Sequence, residues 1–156
     1  MYISIVGVDR IPLGYYRQKL RAEAVISASG LPFTILRATQ FHTLVAGIFD
    51  AQRRLPVLIV PAVAVQPVEV AEVADALAAL AVGPPAGRVP DFGGPEALPA
   101  RDFAAAWQRA EGRTRRVILL RLPGGIFRAL RAGRNLTRVT PTGSVRFEEF
   151  LASRSR

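Results

Sequence analysis

The sequence predicts an α/β fold, a sheet of parallel strands with helices packed against it, and two observations carry that expectation. Tyr2 to Val8 and Phe33 to Leu36 are short apolar runs, the first rich in β-branched residues and closed by Gly7 and Asp9. Between them lies one helical pattern from Tyr15 to about Ser29, stopped by Gly30 and barred from continuing by Pro32. Strand, helix and strand joined by links this short form a βαβ unit, which requires parallel strands and a right-handed crossover.

Each further element follows in order. In the first helical segment Leu20, Ala24, Val25 and Ala28 share one face, with Arg17, Arg21 and Glu23 largely off it, so the apolar face is expected to meet the sheet. Phe41 to about Ala51 reads as a second amphipathic helix ending before Pro56. Val57 to Val60 and Val65 to Val68 read as strands separated by Pro61. Glu69 to about Val82 is an alanine-rich helix terminated by Gly83-Pro84-Pro85, with Glu69 and Glu72 at the end where the helix dipole favours negative charge. Arg88 to Phe92 predicts a short strand ending near Asp91, and Gly93-Gly94-Pro95 a turn. After Pro99 the pattern becomes mostly helical: Ala100 to Ala110, with Trp107 at core spacing, then a strand at Val117 to Leu120, then helices near Ile126 to Arg131 and Val145 to Ala152.

A strand apolar on both faces belongs in the interior of a parallel sheet. Opening the chain with one leaves a hydrophobic edge without a neighbour. The expectation is that another chain covers this edge or that further residues lie upstream.

The 156 residues suffice for one domain with a sizeable core. Half are hydrophobic, which excludes a disordered chain. No apolar run reaches the roughly 18 to 20 residues of a membrane span, and no ordered signal-peptide pattern opens the sequence, so a cytoplasmic protein without membrane partners is expected. Without cysteine there is no disulfide framework or thiolate site, and a single histidine with no carboxylates at ligand spacing argues against a metal. The net charge of +9 raises the question of nucleic acid. Lys19 is the only lysine, however, and the arginines are scattered, with loose concentrations at Arg113, Arg115 and Arg116, at Arg128, Arg131 and Arg134, and at Arg154 and Arg156. No recognition module accompanies them, so specific nucleic-acid binding is not expected.

The densest chemistry lies in Tyr15-Tyr16-Arg17-Gln18-Lys19, just after the strand that carries Ser4. A tyrosine one helical turn before a lysine can donate a proton, because a nearby ammonium favours phenolate. The pair also fits an ordinary helix start in which Tyr15 packs on its neighbours. Ser4 reads equally as a small strand residue, and His42 as a packing residue beside Phe41.

Taken together, the blocks Tyr2 to Asp9, Tyr15 to Lys19 with Glu23, Ser29-Gly30-Leu31-Pro32, and Leu36-Arg37-Ala38-Thr39-Gln40-Phe41-His42 resemble the atypical short-chain dehydrogenase/reductase proteins, in their NmrA-like, NAD(P)H-binding branch. The likeness continues through Gln66-Pro67-Val68, Val70 to Ala74 and Arg88 to Glu96, and so covers essentially the whole chain. It implies the C-terminal half of a Rossmann-like parallel sheet with flanking helices and a small, mostly helical substrate-side region. Residues 1–98 would be the C-terminal part of a Rossmann-like NAD(P)-binding domain and residues 99–156 the substrate-side region. The family's glycine-rich dinucleotide loop and first four strands would precede Met1.

The resemblance implies roles residue by residue. Ser4 takes the position of the strand-end residue that polarises a substrate or holds the nicotinamide ribose. Tyr15 matches the general acid and Lys19 its partner on the ribose hydroxyls. Arg37 to Gln40 match the loop at the nicotinamide end, so Ala38, Thr39 and Gln40 are expected to bind NAD(P)H, while Phe41 and His42 face a small-molecule substrate. The implied function is part of an NAD(P)H-dependent oxidoreductase acting on a small carbonyl or quinone-like acceptor, completed by a homo-oligomer or a missing N-terminal half. Two alternatives remain open: a non-catalytic NAD(P)-binding redox sensor, and an inactive remnant. Only 11 positions separate Ser4 from Tyr15, fewer than in the catalytically standard branches, which places the proton relay in question.

Overall fold

The computed structural model describes residues 1–154; Arg156 of the last arginine concentration lies outside them. Strand β1 (Tyr2–Ile5) leads to helix α1 (Gly14–Ala28) and strand β2 (Thr34–Ala38), and β1 and β2 pair in parallel with Tyr2 opposite Ile35 and Ser4 opposite Arg37. Helix α2 (His42–Asp50), strands β3 (Val57–Pro61) and β4 (Ala64–Val65) and helix α3 (Val70–Val82) follow. Strand β5 (Gly87–Arg88) then adds to β2, again in parallel, giving the order β1-β2-β5. The expected α/β architecture, a parallel sheet with flanking helices, is therefore present.

Side chains alternate across this sheet as the period of two requires. Leu36 and Ala38 face α3, where they pack with Val68 and Val73 and with Ile3, Leu77 and Leu80. Ser4, Ile35 and Arg37 point to the opposite face, under α1, and all three are buried. Helix α1 departs from the expectation that Leu20, Ala24, Val25 and Ala28 would be its buried face. Ala24, Val25 and Ala28 are exposed, Val25 by 69%, and Glu23 is the one side chain of this helix that is fully buried. A carboxylate over a buried cation, flanked by the half-buried Tyr16, Leu20 and Ile26, takes the centre of the contact that seats the helix.

The second body of the fold joins the middle of the sequence to its C-terminal part. Strand β6 (Leu98–Pro99), helix α4 (Ala100–Ala110), strand β7 (Arg116–Leu120), helix α5 (Gly125–Arg131) and helix α6 (Phe147–Arg154) complete the chain. Strand β7 pairs in parallel with β3, and β6 pairs antiparallel with β4. Their core joins Val45, Ala46 and Phe49 of α2 and Leu58 and Val60 of β3 to Phe103, Ala104 and Trp107 of α4 and Phe147, Phe150 and Leu151 of α6. Trp107 is fully buried and donates from Nε1 to Asp50 at 2.9 Å, as its helical spacing suggested.

Three strand expectations shorten for one reason, the missing N–H of proline or a glycine turn. β1 ends at Ile5, because Gly7 turns the chain at φ 82° against the backbone of Arg134. Pro67 and Pro90 interrupt the runs Val65 to Val68 and Arg88 to Phe92, leaving β4, β5 and the single bridges Phe41–Val68 and Ala38–Phe92. Among the described residues no helix is long and apolar enough to cross a membrane.

Candidate active-site pocket

The sheet's parallel strands end together beside the start of α1, and a cavity of about 470 Å³ opens there. Ligands of open α/β sheets bind outside the carboxyl ends of the strands. Its walls are Ile3, Ser4 and Ile5 of β1, Leu13 before α1, Tyr15, Tyr16 and Lys19 of α1, and Ala38 to Phe41 with Leu44. The structure thus brings Ser4, Tyr15, Lys19, Ala38, Thr39, Gln40 and Phe41 to one place. The lining is mostly apolar, with a few polar groups converging, as small-molecule sites are built.

Lys19 reaches β1 rather than solvent. Its Nζ donates to the Ile3 carbonyl at 3.2 Å and sits 4.8 Å from the centre of the Tyr2 ring. In the β1–β2 ladder the groups of Tyr2, Ser4 and Val6 face β2, so those of Ile3 and Ile5 face the open edge. Lys19 therefore satisfies the Ile3 carbonyl on that edge, and the Val8 N–H satisfies the Ile5 carbonyl at 3.2 Å. Two carbonyls of the edge expected to stand unprotected thus find partners within the chain. Tyr15 is 59% exposed at the pocket mouth, its ring 6.3 Å from that of Tyr16. Burial, with Tyr15 beside it, pushes the Tyr16 phenol up and keeps that residue neutral.

Ser4 lies at the pocket floor, only 3% exposed, and its hydroxyl makes no hydrogen bond of normal geometry. It stands close enough to Glu23 to help hold that carboxylate ionised. Gln40 is fixed from both sides: its amide donates to the Asn135 carbonyl at 3.1 Å and its oxygen accepts from the Gln66 N–H at 3.2 Å. Gln66 in turn bonds Gly94 and Thr137, and the Thr39 hydroxyl accepts from the Gly94 N–H at 3.4 Å. A polar network thus runs from the pocket into the C-terminal segment.

His42 is not among the pocket's residues. Placed with Phe41 on the substrate side by the resemblance, it starts α2 with its ring turned away, 1% exposed, stacked on Phe150 at 5.2 Å and near Phe147 at 5.6 Å. Its Nε2 donates to the Val145 carbonyl at 3.0 Å, which leaves Nδ1 as a buried lone pair without a partner. Burial pushes its pKa down against the raising effects of Val145, Glu69 and Glu72, so the ring stays neutral. Consecutive residues at a helix start point in different directions, so His42 takes the packing role that its own residue type suggested and not the substrate-side place implied by the resemblance.

Sequence reasoning also missed the group beneath the pocket. Arg37, 5% exposed, forms a fork with Glu23: Nε to Oε1 at 2.9 Å and NH2 to Oε2 at 2.5 Å, while NH1 bonds Asp9 at 2.9 Å. Burial alone would raise the Glu23 carboxyl, but Arg37, with Ser4 beside it, holds it below the usual carboxylate range.

No known family model matches the sequence, and no curated protein matches it. Solved structures do. The chain superposes on an Escherichia coli NADPH-dependent quinone oxidoreductase complexed with NADPH at TM-score 0.79 and 19% identity, over 99% of this chain and 65% of that one. The fold is Rossmann-like. A nucleoside-diphosphate-sugar epimerase from Staphylococcus aureus matches at TM-score 0.72 and 15% identity, over 96% of this chain and 62% of that one. A Bacillus cereus UDP-glucuronic acid 4-epimerase, in complex with UDP-glucuronic acid and NAD, matches at 0.68 and 18%, over 96% and 58%. At these identities the likeness establishes the Rossmann-like fold, and the chain spans 65% of the length of the quinone oxidoreductase.

Proposed function

We propose that this chain forms the nicotinamide-side and substrate-side portion of an NAD(P)H-dependent oxidoreductase of the atypical short-chain dehydrogenase/reductase class, acting on a small carbonyl or quinone-like acceptor. The observation that carries it is the convergence of Ser4, Tyr15, Lys19 and Ala38 to Phe41 on one cavity at the carboxyl ends of parallel strands.

The residues present fit the nicotinamide and its ribose. One ammonium is held at the wall of a mostly apolar cavity, where it suits ribose hydroxyls, and Ala38 to Gln40 offer backbone and amide groups beside it. When bound, the cofactor supplies a hydride. Tyr15, exposed at the mouth, donates the proton that neutralises the developing oxyanion of the acceptor, and solvent returns it. Lys19 orients the ribose, and the network through Gln66 keeps Gln40 in one rotamer. Ser4, buried on the floor, contributes shape and a hydroxyl to the Glu23 side more than a group aimed at substrate. The described residues offer no glycine-rich cradle for the pyrophosphate, so the chain alone is expected to bind NADPH weakly and to turn over little.

NADPH titrated into the protein, followed by the cofactor's own fluorescence, tests the reading. Lys19→Met is expected to weaken binding, and Tyr15→Phe to leave binding intact while removing turnover of a quinone. Binding that ignores both substitutions would sink the assignment. Tyr15→Phe without effect on turnover, with Lys19 still required for binding, would favour the non-catalytic sensor.

A further inference from the structure

We infer that the Asp9–Arg37–Glu23 ion cluster is the device that sets the register of α1 and so positions Lys19 and Tyr15 at the pocket; this rests on the pocket being the nicotinamide site proposed above. Three observations converge. Apolar packing holds α1 only in part, because Ala24, Val25 and Ala28 face outward, Tyr16, Leu20 and Ile26 are half-buried, and Glu23 is its only fully buried side chain. Glu23 lies one helical turn beyond Lys19 on the same face, so a shift of the carboxylate translates directly into a shift of the ammonium. Finally, all three walls of the pocket meet at one guanidinium: Asp9 belongs to the loop that leads to Leu13, Glu23 to α1, and Arg37 to the strand that continues into Ala38 to Gln40.

A fork of two parallel N–H···O bonds is directional where apolar contact is not, so it specifies a register as well as a contact. Sliding α1 by one residue would break both bonds and strand a buried charge, a cost apolar packing would not impose. The cluster touches neither cofactor nor substrate in this reading and acts through Lys19; its members are positioning residues.

The sole lysine makes the inference measurable. Protein grown with labelled lysine is expected to show one side-chain signal, its ε-methylene resonance displaced upfield by the seat of Lys19 over the Tyr2 ring. Tyr2→Leu removes that displacement and assigns it. The decisive variant is the double replacement Glu23→Leu with Arg37→Met, since exchanging both partners of a buried pair for apolar residues of similar size commonly preserves stability. The expected result is a folded protein whose Lys19 signal has lost its displacement or broadened, with NADPH affinity reduced on the order of tenfold, as for a misplaced positioning group. An unchanged Lys19 signal would overturn the proposal, because packing would then set the register. A double variant that does not fold would overturn it too, making the pair a folding requirement instead. If the parent protein shows the displaced signal yet no NADPH binding, the nicotinamide reading fails while the register device stands.

Discussion

Glu72 and His42 are two side chains whose chemistry is spent on holding the chain rather than on a ligand. Glu72 accepts from the backbone N–H and hydroxyl of Ser144, at 2.7 and 2.6 Å, and from the Val145 N–H, while His42 holds the Val145 carbonyl. Burial would raise Glu72, but the Ser144 and Val145 donors hold its carboxyl below the usual range. Burial keeps His42 below the usual histidine value. Both folded-state values are depressed, so in both cases the unfolded chain binds the proton first and stability falls with acid. The His42 contribution is complete above about pH 6.5 and is lost as pH falls below it. That of Glu72 is complete above about pH 4.3 and is lost further down. The expected outcome is a thermal midpoint that declines in two stages, the upper removed by His42→Phe and the lower reduced by Glu72→Gln. Glu23 and Asp50, also held below the usual carboxylate range, carry the rest of the lower stage. Melting curves from pH 8 to pH 3 check it, and a single stage insensitive to His42→Phe would contradict it.

At the scale of elements, α1 inverts the usual rule for a surface helix. Most of its predicted apolar stripe, Ala24, Val25 and Ala28, faces solvent, and its one buried group is charged. Val25→Glu is therefore expected to change stability by less than about 0.5 kcal/mol, as for exposed sites generally. Glu23→Ala leaves Arg37 buried without its main partner and is expected to cost about 3–5 kcal/mol. Chemical denaturation of the two variants checks the contrast; a larger loss for Val25→Glu would restore the amphipathic reading of the helix. The hydrophobic pattern could not show this, because Glu23 reads as a solvated charge until the strand beneath it is known to place Arg37 there. Other elements were legible from pattern alone. Helix α2 buries Val45, Ala46 and Phe49 at helical spacing, and α4 runs from Ala100 to Ala110 as its periodicity indicates.

The whole molecule joins two cores through long-range pairing and a polar network. Strand β3, early in the chain, pairs with β7, late in the chain, and Gln40 at the pocket bonds Asn135 across 95 positions of sequence. The single tryptophan, Trp107, reports the core of α2, α4 and α6, whereas the sheet of β1, β2 and β5 contains none. Because these cores are tied by the Gln40–Asn135 bond and the Gln66 network, urea unfolding followed by Trp107 fluorescence is expected to coincide with unfolding followed by far-ultraviolet circular dichroism. Separate midpoints would show that the sheet and the helical body unfold independently.

The sequence by itself determined the α/β class, the order of most helices and strands, and the set Ser4, Tyr15, Lys19 and Ala38 to Phe41 that now shares a cavity. The class and the order of elements follow from local physics, hydrophobic period with proline and glycine stops. Of the site set, the spacing singles out only Tyr15 and Lys19, and the other members follow from the resemblance to the atypical short-chain dehydrogenase/reductase proteins. Tertiary structure alone decided which face of α1 is buried, that Lys19 caps the open edge at Ile3, that His42 turns into an aromatic core, and that Asp9, Glu23 and Arg37 meet. The physical reason is common to all four. Each is an interaction between side chains and backbone distant in sequence, and whether a charge or a ring is paired depends on what the fold brings against it, which no local pattern records.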